Sequence, residues 1–311
     1  MSFRDNLRAT LVAVVWGANF VVIDEGLRGF PAFLLLAARF TLVAFPLILF
    51  VPRPGPWRPI LLIGALMSLG QFTLLYLALH LGMPSGLASL LLQAQAMFTI
   101  VLASATIGER PSARQLAGIA IGLVGLLTVA IGYGSAAPAV PLLLTLGAAL
   151  SWASGNVVSR RARITNVFAL VVWSAAVVPG PALLLALLVS GPHTVAHALS
   201  TIGLRTIAST LYTVLGASFF GYVTWNSLLA RHPVSAVVPF TLLVPVVGIL
   251  AAWLFLGQPP SVTETLGGAI LLSGVATATL RRRPRTLPGF AGAAVAQRSL
   301  ATAASSSPSR E

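Results

Sequence analysis

The sequence predicts an all-α integral membrane protein of ten transmembrane helices, arranged as two inverted five-helix repeats. Three observations lead there. Hydrophobic residues fill 57% of the 311 positions and charged residues only 8%. A soluble domain carries about 25% charged residues, so this chain cannot assemble a water-soluble surface. The apolar residues fall into ten runs, most of them near the roughly 20 residues that span a bilayer. The turn and helix start at Gly108 return 149 positions later at Gly257.

In chain order the runs are Leu7–Leu27, Pro31–Val51, Ile60–His80, Ser85–Ile107, Arg114–Tyr133, Val140–Val158, Val167–Ser190, Thr206–Leu229, Val234–Leu256 and Val262–Leu280. The links between them are short, which predicts a compact bundle without a soluble domain. The first run is too long for a secretory signal, holds Trp16 and Asn19, and is followed by no small-residue cleavage site. Residues from about Pro284 to the end are mainly Ala, Ser, Pro and Arg without apolar periodicity, and are expected to form a disordered cytoplasmic tail over 284–311.

Arginine placement sets the expected orientation. With the N-terminus in the cytoplasm, sixteen of the 19 basic residues, all of them Arg, lie in cytoplasmic segments. Outer loops hold only Arg28 and Arg205, and Arg39 lies inside the second helix. The positive-inside rule then favours both termini inside. The net charge of +13 therefore serves topology, and nucleic acid is not an expected partner because the arginines are scattered between apolar runs. The expected partners are the lipid bilayer and a small molecule, with the protein a monomer or a homodimer.

The repeat is carried by polar and small residues as well as apolar ones. At the offset of 149, Gly108 meets Gly257, Pro111 meets Pro260, Ser112 meets Ser261, Gly118 meets Gly267 and Gly125 meets Gly274. Pro84 meets Pro233, and Trp16 with Asn19 is matched by Trp152 with Asn156 at a slightly different offset. The two copies therefore span 7–133 and 140–280. Each has an odd number of helices, so they insert in opposite senses, an architecture of secondary transporters. Gly118, Gly122 and Gly125, and Gly64 with Ser68, read as packing seams, because small residues let membrane helices approach closely.

These motifs resemble a known family. VVWGANFVVI at Trp16 and Asn19, AARFTLVAFP around Arg39 and the turn Gly108-Glu109-Arg110 are similar to the EamA family of the drug/metabolite transporter superfamily. GMPSGLASLLLQAQAMFTI from Gly82, SWASGN at Ser151–Asn156, VVWSA at Val171–Ala175 and LLVPVVG at Leu242–Gly248 are similar to its O-acetylserine and cysteine exporters. The likeness runs over about residues 7–280. It implies two EamA units and export of small amino-acid-type metabolites across a bacterial inner membrane. The sequence departs from its own repeat at Gln258, where the first copy has Glu109.

A transport site needs polar groups at mid-depth, and a polar group left in lipid costs several kcal/mol. Trp16 and Asn19 lie about 14–18 Å into the first helix. Gln71, Tyr76, Gln93, Trp152, Asn156, Tyr222, Trp225 and Asn226 complete the expected substrate-binding set, with Arg39 about 12 Å into the second helix. Amides can receive an ammonium and donate to a carboxylate, and indole or phenol faces can hold an ammonium. The competing reading of Asn19, Gln93 and Asn156 is hydrogen-bonding glue between helices. Gln95 points about 200° away from Gln93 on a helix, and Trp57 reads as an interfacial anchor. For Arg39 two readings stand: a fork for a substrate carboxylate, or a bridge to helix-end carbonyls or to Asp24 or Glu25.

Other chemistries find little support. Cysteine is absent, which removes disulfides and thiol catalysis. His193 and His197 are four apart but lack an acidic neighbour, so no metal is expected. Gly132-Tyr133-Gly134 reads as a turn, and without a Walker-type motif ATP is not the direct energy source. No cofactor and no enzymatic activity are expected, since the histidines and acids form no catalytic cluster. The alternative to an amino-acid-type substrate is a broader exporter of other amino acids, purines or drugs.

Overall fold

The computed structural model describes residues 1–133, 139–162, 164, 166–232 and 234–279. The expected tail over 284–311 lies outside them. Every described regular element is helical.

Nine stretches of the described residues are long and apolar enough to cross a membrane. They are α1 (Phe3–Leu27), α2 (Ala32–Leu49), α3 (Trp57–His80), α4 (Ser85–Ile107), α5 (Ala113–Gly132), α6 (Ala139–Ala162), α7 (Val167–Ser190), α8 (Leu204–Trp225) and α9 (Pro239–Leu256). The tenth run forms α10 (Val262–Thr279), which is helical but carries Glu264 and several threonines and is correspondingly less apolar. Helix α1 begins at Phe3, earlier than the apolar run, because the Ser2 side chain accepts from the Asp5 N–H at 3.2 Å and caps it. The expected outer connection holding His193 and His197 is itself a short helix, Pro192–Ser200.

Local chemistry repeats between the copies. Helix α4 ends on Gly108 at φ 73° and α9 on Gly257 at φ 64°, left-handed positions that favour glycine. The next helices open on reciprocal caps. The Ser112 N–H donates to Gln115 Oε1 at 2.9 Å and the Gln115 N–H to Ser112 Oγ at 3.3 Å. In the second copy the Ser261 N–H donates to Glu264 Oε2 at 2.6 Å and the Glu264 N–H to Ser261 Oγ at 3.2 Å. Both are capping boxes.

Helices α5 and α10 lie against each other along their glycines. A Cβ on Gly118 would come within 2.7 Å of the Gly274 carbonyl oxygen, and one on Gly125 within 2.7 Å of the Gly267 carbonyl oxygen. Exchanging each residue for its repeat partner turns the first pair into the second. The two helices are thus antiparallel and related by a local two-fold, the geometry of an inverted repeat. The other contacts follow the same exchange. Helix α1 packs on α8 and α9 of the second copy, while α6 packs on α3 and α4 of the first, and α2 meets α7. Gly64 also serves packing, since its Cβ would fall 2.6 Å from the Ser174 carbonyl oxygen on α7.

Irregular turns also sit at related places. Residues Gly64–Gly70 of α3 and Tyr212–Phe220 of α8 are wound as π-helix. Helix α4 breaks between Leu91 and Ala94, and α9 is entered through a 3₁₀ segment, Val238–Leu242. A π turn shifts backbone bonds and leaves carbonyls for side chains to satisfy.

Candidate functional site

The π turn of α8 collects groups from the first copy. Trp16 Nε1 donates to the Ala217 carbonyl oxygen at 2.9 Å, and the Tyr212 hydroxyl donates to that of Val15 at 3.0 Å. Arg39, on α2, donates from Nη2 to Ser218 Oγ and from Nη1 to the Tyr76 hydroxyl, each at 3.4 Å. Ser218 Oγ in turn donates to the Thr213 carbonyl oxygen at 2.8 Å, a bond within the π turn.

Aromatic rings enclose this cluster. The Arg39 guanidinium carbon lies 4.3 Å from the Phe72 ring centre and 5.2 Å from that of Phe40. The Trp16 ring is 5.7 Å from Tyr222 and 5.4 Å from Trp225. A side chain at Gly221 would collide with the Trp16 indole, so glycine is what lets the ring lie against α8. Arg39 is 3% exposed and Tyr76 0%.

Asn19, one helical turn beyond Trp16 on α1, is buried and its Oδ1 has no hydrogen-bond partner among the described residues. The same holds for Gln71 Oε1, Thr73 Oγ1 and Gln95 Oε1. Arg39 Nε is an unpartnered donor. The described residues therefore bury polar side-chain atoms without hydrogen-bond partners and a cationic donor without a counter-charge within reach, a pattern that native interiors rarely tolerate without a role.

Trp16, Arg39, Tyr76, Tyr222 and Trp225 are thus joined by contacts, while Asn19 lies one helical turn from Trp16 and Gln71 directly precedes Phe72. Trp152 and Asn156 are placed elsewhere. Asn156 Nδ2 donates to Thr99 Oγ1 at 3.3 Å and so ties α6 to α4, as interhelical glue would. Ser151, next to Trp152, donates to the Leu66 carbonyl oxygen in the π turn of α3 at 2.7 Å. Gln93 is buried at the break in α4, and Trp152 is half-buried against the main core. Asn226 lies on the helical continuation of α8, but its side chain is outside the described residues. Trp173, on α7, packs on Trp57 and donates to the Val51 carbonyl oxygen at 3.0 Å. Among the described residues no group of His, Asp or Glu is placed to hold a metal ion.

Sequence reasoning missed Ser218 and Phe72. Phe72 had a usable signal, since it lies four residues before Tyr76 and shares its helix face. Ser218 had none, because its link to Arg39 spans 179 positions.

Two inverted helical copies meeting at a buried polar cluster define a multi-pass membrane protein of transporter architecture. The chain belongs to the EamA-like transporter family, whose model matches residues 6–131 and 140–280. It is 42% identical over 282 residues to a protein of Escherichia coli (strain K12) named probable amino-acid metabolite efflux pump, covering 88% of this chain and 94% of that protein. A Streptantibioticus cattleyicolor protein named probable terminal-alkyne amino-acid exporter is 31% identical, covering 90% of this chain and 96% of its own. A solved crystal structure aligns with a TM-score of 0.59 at 23% identity, over 91% of this chain and 100% of that one, a likeness of fold.

Proposed function

We propose that the protein is a secondary transporter of the bacterial inner membrane that exports small amino-acid-type metabolites, with O-acetylserine and cysteine as first candidates. Ten crossings, α1–α10, form two units, residues 7–133 and 140–280, with both termini in the cytoplasm. The observation that carries this reading is the cluster between the copies, where Trp16 and Arg39 of one unit meet Ala217 and Ser218 of the other. A solute bound there touches both units, so its binding can bias their rocking between inward-open and outward-open states. The names of the relatives, an amino-acid metabolite efflux pump and an amino-acid exporter, support export and the solute class. The family is one of transporters, which supports transport over catalysis.

The substrate-binding set is Trp16, Asn19, Arg39, Gln71, Tyr76, Tyr222 and Trp225 as the core. Gln93, Trp152, Asn156 and Asn226 belong to the related helices of the pathway. The test is efflux from cells overproducing the protein, following cysteine, O-acetylserine and an aromatic amino acid together against an Asn19→Ala control. Selective loss of the first two supports the assignment. Loss of the aromatic amino acid as well favours the broader exporter, and no loss above the control counts against amino-acid export.

A further inference from the structure

Among the described residues, no acid balances the charge of Arg39. It is 3% exposed, yet no carboxylate of the described residues lies within 4.0 Å of it. Glu25, one of the two acids that could have reached it from α1, is bound instead to Arg28 at 2.9 Å and lies 3.9 Å from Arg205. Asp5 and Glu109 are engaged with Arg8, Arg231, His232 and Arg160 at the other end of the bundle. What Arg39 has is two neutral hydroxyls at 3.4 Å, the long end of the hydrogen-bond range, and two aromatic faces. Its Nε–H has no acceptor among the described residues. An unpaired buried charge costs several kcal/mol, and such a residue within a membrane bundle marks a ligand or ion pathway.

We infer that Arg39 anchors the carboxylate of the exported solute, with Tyr76 and Ser218 as positioning residues, so that the site takes solutes with one free carboxylate and rejects their esters and decarboxylated amines. The inference rests on the exporter reading above and narrows its solute class. A guanidinium presents two parallel N–H groups that match one carboxylate, and a single positive charge balances a monoanion. A phosphate monoester, with close to two negative charges, would be left undercompensated. The two hydroxyls hold the fork in place without competing strongly for it, because each is uncharged and sits at 3.4 Å, where a carboxylate at a normal distance would gain more. The Phe72 and Phe40 rings flank the guanidinium and give it two aromatic faces. The ammonium of the same solute is left to the unpartnered Asn19 Oδ1 and the Trp16–Tyr222–Trp225 rings.

The test is binding to the full chain in lipid nanodiscs, read by intrinsic tryptophan fluorescence, with cysteine, cysteine methyl ester and cysteamine as probes. The three share a thiol and an amine and differ at the carboxylate. Wild type is expected to half-saturate with cysteine at a concentration at least about tenfold below that of the other two, the scale of one charge-assisted hydrogen-bonding pair. Arg39→Gln brings the ratio to about one. Arg39→Lys, which keeps the charge without the fork, falls between. Equal binding of all three by wild type, or an unchanged ratio in Arg39→Gln, overturns the carboxylate anchor and leaves the exporter reading standing. If Arg39→Gln is not recovered folded, Arg39→Lys decides, and an unchanged ratio there overturns the anchor equally. Binding of none of the three, with no efflux from cells, sinks the exporter reading and this inference with it.

Discussion

Trp16 and Arg39, from two different helices of the first copy, are held by consecutive residues of the second, Ala217 and Ser218. Both of those residues belong to the π turn of α8. The turn therefore reads the positions of α1 and α2 together, and any shift of one copy against the other must break or remake both contacts.

The Trp16 contact can be removed alone. Trp16→Phe keeps an aromatic ring against Tyr222 and Trp225 but leaves the Ala217 carbonyl oxygen without its donor. One hydrogen bond of this kind is worth about 1 kcal/mol, or about fivefold in an equilibrium. Export should fall by that order while the protein still inserts normally, as checked by its level in the membrane fraction.

The glycine seam of α5 and α10 should tolerate almost no added bulk on either side. Gly125→Leu and Gly267→Leu both drive a side chain into the facing backbone. Overpacking typically costs about 1–3 kcal/mol, and here the obstacle is main chain, so the upper end applies. Both variants are expected to lose monodisperse protein on size-exclusion chromatography. Gly180→Ala, where a Cβ would meet nothing within 4 Å, should behave as wild type.

The start of α1 is latched to the end of the helical continuation of α8, Gly221–Arg231. Asp5 accepts from Arg231 at 3.2 Å, meets His232 Nε2 at 2.9 Å and accepts from Arg8 at 3.4 Å. Ala9 lies beneath, fully buried against Leu228 and Val237. Because the chain has no cysteine, Ala9→Cys is a single reporter. Its labelling by a small thiol reagent should be slow, and Asp5→Asn should speed it several-fold. Glu109→Gln should change it little, because the Glu109–Arg160 pair is half exposed at both partners and exposed pairs contribute about 0–1 kcal/mol.

Much of this was legible in the sequence, for identifiable reasons. Helix positions follow from apolar runs that lipid requires. The glycine seam follows from spacings of three and four, and the repeat from Gly, Pro and Ser matches that apolar composition alone does not produce. Trp16, Asn19, Arg39, Tyr76, Tyr222 and Trp225 stood out as polar or amphipathic groups at mid-depth. The π turns did not, because GALMSLG and YTVLGASFF hold no proline and read as ordinary helix. Nor could the sequence divide buried amides that lack a partner from those that tie two helices. Asn19 and Asn156 match in the repeat, yet one leaves Oδ1 unpartnered and the other bonds Thr99. That difference is decided by which helix faces each residue, a tertiary fact.

The most direct measurement is exchange in liposomes holding the purified protein, with unlabelled cysteine inside and labelled cysteine outside. Wild type is expected to accumulate label in competition with O-acetylserine, and Trp16→Phe with Ser218→Ala, which removes the Trp16–Ala217 and Arg39–Ser218 contacts, is expected to lose it. Full exchange in that double variant would contradict the central role given to the Trp16–Arg39 cluster.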